Sequence, residues 1–289
     1  MILLSNKVFQ FKTYSDGSLE LINPEILVGN STAFRLQANI KNSDELLKLI
    51  LVKSLVDKAN LLVKRPVILS LPYVPYMRSD RAMSDISVGG LKTIAPIINN
   101  LNFDRVVISD PHSDVTEALL NNAVIKSQSD LFHSYLQFNP EILTGIDYVI
   151  SPDAGALKKV SKCAELIHKP HIEAFKVREL STNKIIKTSV NASKEELEGK
   201  TILAIDDILE YGGTLRELAK TLKEDYGVAK VIAYVTHGVL PINKRLPVPS
   251  RINFILDYID SIHCYYLWSN PESTEEKDNN PKLQFKELF

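Results

Sequence analysis

Short apolar runs recur along the chain: VILSLPY (67–73), RVVISD (105–110), DYVIS (147–151), TILAID (201–206), VIAYVTHGV (231–239) and INFILD (252–257). They are rich in β-branched residues, mostly end at Asp, Ser, Pro or Gly, and lack strict alternation with polar residues. Strands buried on both faces have this character. Between them apolar residues fall at helical spacing, over 43–59, 87–101, 155–167 and 214–225. The first of these opens on Ser43-Asp44-Glu45, read as its cap, and the second carries Val88, Leu91, Ile94, Ile97, Ile98 and Leu101. Strands alternating with helices predict an α/β, doubly wound parallel sheet. The pattern occurs twice, which predicts two similar domains, 1–142 and 143–289, joined near FNPEILTGI (138–146) with its proline and glycine. Ligands of such sheets collect outside the carboxyl ends of the strands, and every motif below sits at such an end.

Composition narrows the classes of partner. The 289 residues are 45% hydrophobic and 24% charged, with 34 Lys+Arg against 35 Asp+Glu and a net charge of -1. That balance offers no electrostatic footprint for nucleic acid or an anionic membrane, so neither is expected. The two cysteines, Cys163 and Cys264, lack a CxxC spacing and read as buried free thiols. The start, MILLSNKVFQF, has too short an apolar stretch for a signal peptide, and no run approaches 18 apolar residues, so a cytoplasmic protein is expected. SNPESTEEKDNNPK (269–282) reads as a polar surface loop or disordered segment.

The densest chemistry lies in TILAIDDILEYGGTL (201–215). Asp206 and Asp207 follow an apolar strand, and Gly212, Gly213 and Thr214 precede a helical pattern. Successive amides of a glycine turn, followed by a helix N-terminus, form a concave anion site, and the missing Cβ atoms allow phosphate to approach. Thr214 can add a hydroxyl and cap the helix. Two carboxylates would repel phosphate but suit hydroxyl groups or a magnesium ion beside it. A sugar phosphate satisfies both halves; an ordinary capped turn is the bland alternative.

This stretch resembles the ribose-5-phosphate loop shared by type I phosphoribosyltransferases and phosphoribosyl pyrophosphate synthetases. It matches at Asp206, Asp207, Gly212, Gly213 and Thr214, with Glu210 where Asp is usual and Tyr211 where Thr is usual. Further segments resemble the synthetase, or ribose-phosphate pyrophosphokinase, branch. LPYVPYMRSDRAMSD (71–85) places Arg78, Asp80 and Arg81 at the ATP-binding positions, with Ser79 in place of the usual Gln. RVVISDPHSDVTEAL (105–119) places His112 where that family ligates the magnesium of Mg-ATP, between Asp110 and Asp114. YVISPDAGALKKVSKCAE (148–165) resembles the pyrophosphate loop, implying a metal-binding Asp153 and amides from Ala154, Gly155 and Ala156, followed by Lys158 and Lys159. HIEAFKVRELSTNKIIKTSV (171–190) resembles the catalytic flap, with Lys176 and Arg178 on one face of a strand and a turn near 181–183. TYSDGSLEL (13–21) resembles the adenine-binding segment through Tyr14 and Asp16, with Ser18 replacing a Glu, and in the family this segment serves a neighbouring subunit.

The resemblance covers about residues 8–260. It implies two similar type I phosphoribosyltransferase-like domains, the first for ATP and the second for ribose 5-phosphate, and a homo-oligomer. It implies a magnesium-dependent reaction in which ATP and ribose 5-phosphate give AMP and phosphoribosyl pyrophosphate for nucleotide or NAD synthesis. Catalysis would then fall to Lys176, Arg178 and His112, and the metal to His112 and Asp153. Two alternatives stay open: a type I phosphoribosyltransferase, which leaves Arg78, Asp80 and His112 without a role, and a catalytically silent regulatory homologue.

Overall fold

The computed structural model describes residues 1–27, 32–61, 64–82, 88–178, 185–239, 254–268 and 283–285. They form two units, Met1–Lys126 and Ser127–Phe289.

In the first unit, chain order runs β1 (Ile2–Leu4), β2 (Lys7–Val8), β3 (Phe11–Thr13), β4 (Leu19–Leu21), β5 (Phe34–Ala38), α1 (Ser43–Asn60), β6 (Val67–Leu71), α2 (Gly90–Asn100), β7 (Arg105–Ser109), α3 (Asp114–Leu119) and β8 (Ala123–Lys126). The sheet order is β2-β1-β5-β6-β7-β8, while β3 and β4 form a separate hairpin. β5 through β8 pair in parallel, and β1 joins β5 and β2 antiparallel. Helix α1 buries Leu49, Val52 and Val56, and α2 buries Leu91, Ala95 and Ile98, the spacing of one helical face. The cap of α1 is Asn42, not the expected Ser43: its side chain accepts from the Glu45 amide at 3.0 Å. An extended Asn just ahead of the first turn is the better-placed acceptor.

The second unit runs α4 (Gln128–Leu136), β9 (Tyr148–Ser151), α5 (Leu157–Leu166), β10 (His171–Arg178), β11 (Ile185–Val190), α6 (Lys194–Leu197), β12 (Thr201–Leu209), α7 (Gly213–Glu224), β13 (Lys230–Gly238), β14 (Ser261–Leu267) and β15 (Leu283–Phe285). Its sheet order is β11-β10-β9-β12-β13-β14-β15, parallel except for β10 with β11. Alternate residues of each central strand face opposite layers. Ile202, Ala204, Val231 and Ala233 pack with Leu215, Leu218 and Leu222 of α7. Leu203, Ile205, Ile232 and Tyr234 pack with Phe132 and Tyr135 of α4 and Val160 and Cys163 of α5. Helix α4 shares this layer with β9, which is why it groups with the second unit although it precedes residue 142. Both cysteines are buried free thiols, as expected, and burial pushes the Cys264 thiol up to about 12.

One expected strand is not a strand. Within INFILD, residues 254–256 are helical, and the strand that follows is β14. Ile255, Leu256 and Ile259 are buried. Their spacing is that of a helical turn, and a six-residue apolar run fits either element until packing decides. The expected flap hairpin is formed by β10 and β11, but its turn lies outside the described residues. The polar 269–282 segment also lies outside them. Among the described residues no helix is long and apolar enough to cross a membrane.

His263, on β14, is buried between Tyr135 and Ser261. Its Nδ1 lies 3.1 Å from the Tyr135 hydroxyl and its Nε2 3.2 Å from Ser261 Oγ. Burial lowers its pKa from 6.5 to about 4. Because the folded value is depressed, the contribution is complete above pH 6.5 and is lost as pH falls towards 4, by about 3 kcal/mol in the limit. Urea midpoints should therefore fall between pH 7 and 4.5, and His263→Asn should flatten that slope. Equal slopes for both proteins would refute this assignment.

Candidate active site

The second unit's site is built by two neighbouring strands of unequal reach. β9 pairs with β12 at Tyr148↔Ile202, Val149↔Leu203 and Ile150↔Ala204, then leaves the sheet after Ser151. β12 continues to Leu209 along β13, pairing Asp206 with Val235, Ile208 with His237 and Leu209 with Gly238. Asp206 and Asp207 thus lie within the strand, not past its end, where the neighbour on one side has turned away. The Pro152-Asp153 turn departs at the same level.

Lys159, on α5, reaches across: its Nζ lies 3.6 Å from Asp207 Oδ2. The Asp207 amide donates to Asp206 Oδ1 at 2.9 Å, and Gln128 Nε2 donates to the Asp206 carbonyl at 2.9 Å. Burial, and next the charge of Asp207, push the Asp206 carboxyl well above the usual range; Asp153 adds to the same effect. Three carboxylates therefore share one field, with Lys159 as counter-charge on the Asp207 side. Asp153 Oδ1 accepts from the Gly155 and Ala156 amides at 3.1 and 3.3 Å. Two of the amides expected for phosphate are thus engaged by the loop's own carboxylate.

After β12 the chain bends at Glu210 and Tyr211 and enters α7. Tyr211 is exposed. Gly212, not Thr214, is the N-cap, with φ 72° in the left-handed region. Thr214 lies one residue inside the helix. The two glycines differ. A Cβ on Gly212 would lie 2.4 Å from Ile255, whereas a Cβ on Gly213 would meet nothing within 4 Å. Gly212 answers to packing and backbone geometry, while Gly213 leaves open space at the first turn of a helix, where an anion can approach.

In the first unit, the loops after β6 and β7 meet. Ser113 Oγ donates to Asp80 Oδ2, and Arg81 Nε lies 3.9 Å from the same oxygen. His112 is exposed beside Ser113, and Arg78 is exposed as well. Asp110 is buried with φ 40°, a left-handed conformation that costs a non-glycine residue roughly 1–2 kcal/mol. Such strain gathers where a loop must be aimed. Ser79 plays a local part, since its hydroxyl accepts from the Gly90 amide at 3.1 Å at the start of α2. In the β3–β4 hairpin, Asp16 Oδ1 accepts from the Ser18 amide and hydroxyl at 2.9 and 2.7 Å, and Tyr14 donates to Glu20. Among the described residues this hairpin joins neither large sheet.

β10 carries Lys176 opposite Thr188 and Arg178 opposite Ile185, with a register shift between Val177 and Arg178. The shift interrupts simple alternation, and these side chains lie outside the described residues. Among the described residues no group of three or more His, Cys, Asp or Glu side chains is arranged to enclose a metal ion. Gln128 and Arg216 were not marked by any motif. Both are polar residues of ordinary helical sequence that become special through packing.

The phosphoribosyl transferase domain family model matches residues 141–247, the part of the chain that builds this strand-end crevice. A solved phosphoribosylpyrophosphate synthetase from Mycobacterium smegmatis matches over 97% of this chain and 86% of its own, with a TM-score of 0.73 and 21% identity. The fold is thus of the phosphoribosyltransferase kind. Sequence relatives are ribose-phosphate pyrophosphokinases from Saccharolobus solfataricus, 32% identical over 59% of this chain, and from a Marinomonas species, 30% identical over 69%. These matches span 56% and 61% of the relatives' own lengths. Over the stretches they share, the chain is similar to ribose-phosphate pyrophosphokinases, and it spans less than two thirds of the length of these two relatives.

Proposed function

We propose that the protein transfers the pyrophosphoryl group of Mg-ATP to the 1-hydroxyl of ribose 5-phosphate, giving phosphoribosyl pyrophosphate and AMP. The observation that carries this reading is the Lys159–Asp207 contact, which joins the 153–159 loop and helix to the 206–214 turn. A pyrophosphate-accepting loop and a sugar-phosphate loop side by side are what this product requires. In this reading Asp206 and Asp207 hold ribose hydroxyls, and the Glu210–Thr214 turn holds the 5-phosphate. Asp153 to Ala156 face the new pyrophosphate. In the first unit, Arg78, Asp80 and His112 serve ATP, with Tyr14 and Asp16 contributing to an adenine site in a homo-oligomer. Lys176 and Arg178 reach the transferring group from the flap.

The ribose 1-hydroxyl oxygen forms a bond to the β-phosphorus and gives its proton to water, the bond from that phosphorus to the α–β bridging oxygen breaks, and AMP leaves. The protein's share is positioning and neutralisation of charge. Magnesium would be met by Asp153 in the second unit and by His112 in the first, each within its own unit, and when bound it neutralises phosphate oxygens. Asp153 suits a cation: burial is the main cause that raises the Asp206 carboxyl, and the charges of Asp207 and Asp153 add to it.

Incubation with Mg-ATP and ribose 5-phosphate should yield equal amounts of AMP and phosphoribosyl pyrophosphate. Consumption of phosphoribosyl pyrophosphate with a base, without synthesis, would make it a phosphoribosyltransferase instead. Silence in both assays, with ligand binding intact, would make it a regulatory homologue.

A further inference from the structure

The turn that replaces the expected last strand lies against the phosphate-loop helix, and Arg216 fastens the two together. Arg216 is on the first turn of α7, with its side chain 17% exposed. Its Nε donates to the Phe254 carbonyl at 3.0 Å, and its Nη2 lies 3.6 Å from Asp257 Oδ2. The guanidinium carbon sits 4.1 Å from the Phe254 ring centre and 5.0 Å from that of Tyr258. Its Nη1 donates to the neighbouring Glu217 at 3.0 Å. Ile255 fills the space beside Gly212 where a Cβ would lie, and Tyr258 donates to Glu224 at the far end of α7 at 2.8 Å. One short turn thus holds both ends of the helix and closes over the left-handed glycine.

The geometry points to Arg216 as a positioning residue. It clamps the 254–258 turn onto α7 and thereby holds the Gly212–Gly213 turn in its anion-accepting shape before ligand arrives. Two adjacent glycines have the widest backbone freedom of any pair, and ordering them costs affinity unless the fold has already done so. A flat guanidinium is suited to this clamp because it stacks on rings and donates in several directions at once, which an ammonium does not. Arg216 makes no contact with phosphate in this role. The inference rests on the reading of 206–214 as the ribose 5-phosphate loop and extends it to a specific support.

The test uses the full-length chain with Arg216→Ala, Arg216→Lys and Phe254→Leu. Amide hydrogen exchange over 210–215, measured without ligand, should quicken about tenfold in Arg216→Ala. The KM for ribose 5-phosphate should rise about tenfold, with kcat and the KM for ATP within about twofold of the parent. Arg216→Lys should restore only part of each effect. A folded Arg216→Ala protein with unchanged exchange, or with equal rises in both KM values, overturns the proposal. If Arg216→Ala does not fold, Phe254→Leu decides: loss of this exposed ring should move both readouts in the same direction, and no movement overturns the clamp. If the parent protein fails to bind ribose 5-phosphate by calorimetry, the ribose reading falls, while the exchange data still judge the clamp.

Discussion

Asp207→Asn should lower kcat/KM for ribose 5-phosphate about a hundredfold while leaving the KM for ATP within about twofold, the scale expected when a charged partner of a hydroxyl is removed and a nearby charge is left unbalanced. The side chain keeps its shape, so the fold should be retained. What is lost is the negative charge, and with it one of the two acceptor oxygens for sugar hydroxyls and the counter-charge to Lys159 at 3.6 Å. Asp206→Asn should be milder. Burial and the field of Asp207 raise the Asp206 carboxyl, so removing its charge costs less than at Asp207. The comparison requires ribose 5-phosphate titrations at saturating Mg-ATP for both variants. Unchanged kinetics in Asp207→Asn, or a larger loss in Asp206→Asn, would remove the assignment of Asp207 to the sugar.

The two glycines should separate stability from binding. Gly212→Ala places a Cβ 2.4 Å from Ile255 at a φ of 72°, combining overpacking with a left-handed alanine. The expected cost is about 2–4 kcal/mol, with a lower Tm and weaker ribose 5-phosphate binding together. Gly213→Ala meets nothing within 4 Å, and an alanine at the start of α7 is favourable for the helix. Its Tm should hold or rise slightly, while affinity for ribose 5-phosphate falls about a hundredfold because the methyl group fills the space through which phosphate approaches. Thermal melts with and without ribose 5-phosphate, together with calorimetric titration, distinguish the two. Undiminished affinity in Gly213→Ala would show that phosphate binds elsewhere.

The doubly wound architecture was legible because the period of apolar residues carries it. Five of the six apolar runs are strands, and the helices between them fall where the spacing put them. The exception, INFILD, failed where six apolar residues are too few to tell a strand from a buried turn. The flap hairpin was legible through its resemblance and the expected turn, but the register shift at Val177 and Arg178 was not, since a bulge depends on both strands at once. Asp206, Asp207 and Gly212 were marked by their order in the chain. What that order could not give was how far β12 outlasts β9, the raised carboxyl of Asp206, or the engagement of the Gly155 and Ala156 amides by Asp153. Each of these depends on which atoms are neighbours in space. Gln128 and Arg216 stayed silent for the same reason.

The pairing of β9 with β12 has a consequence for how the molecule comes to exist. Thr201 donates to Asp147 at 2.8 Å across a separation of 54 residues, and the ladder beyond it brings both loops to one edge. Neither loop can prepare its shape alone, because the entropy of closing so long a segment is recovered only when the middle of the sheet zips. A chain still emerging without β12 has no half-made crevice to offer. In this unit, maturation and ligand competence arrive as one cooperative event, and a metabolite captured there weighs against global unfolding instead of a local opening.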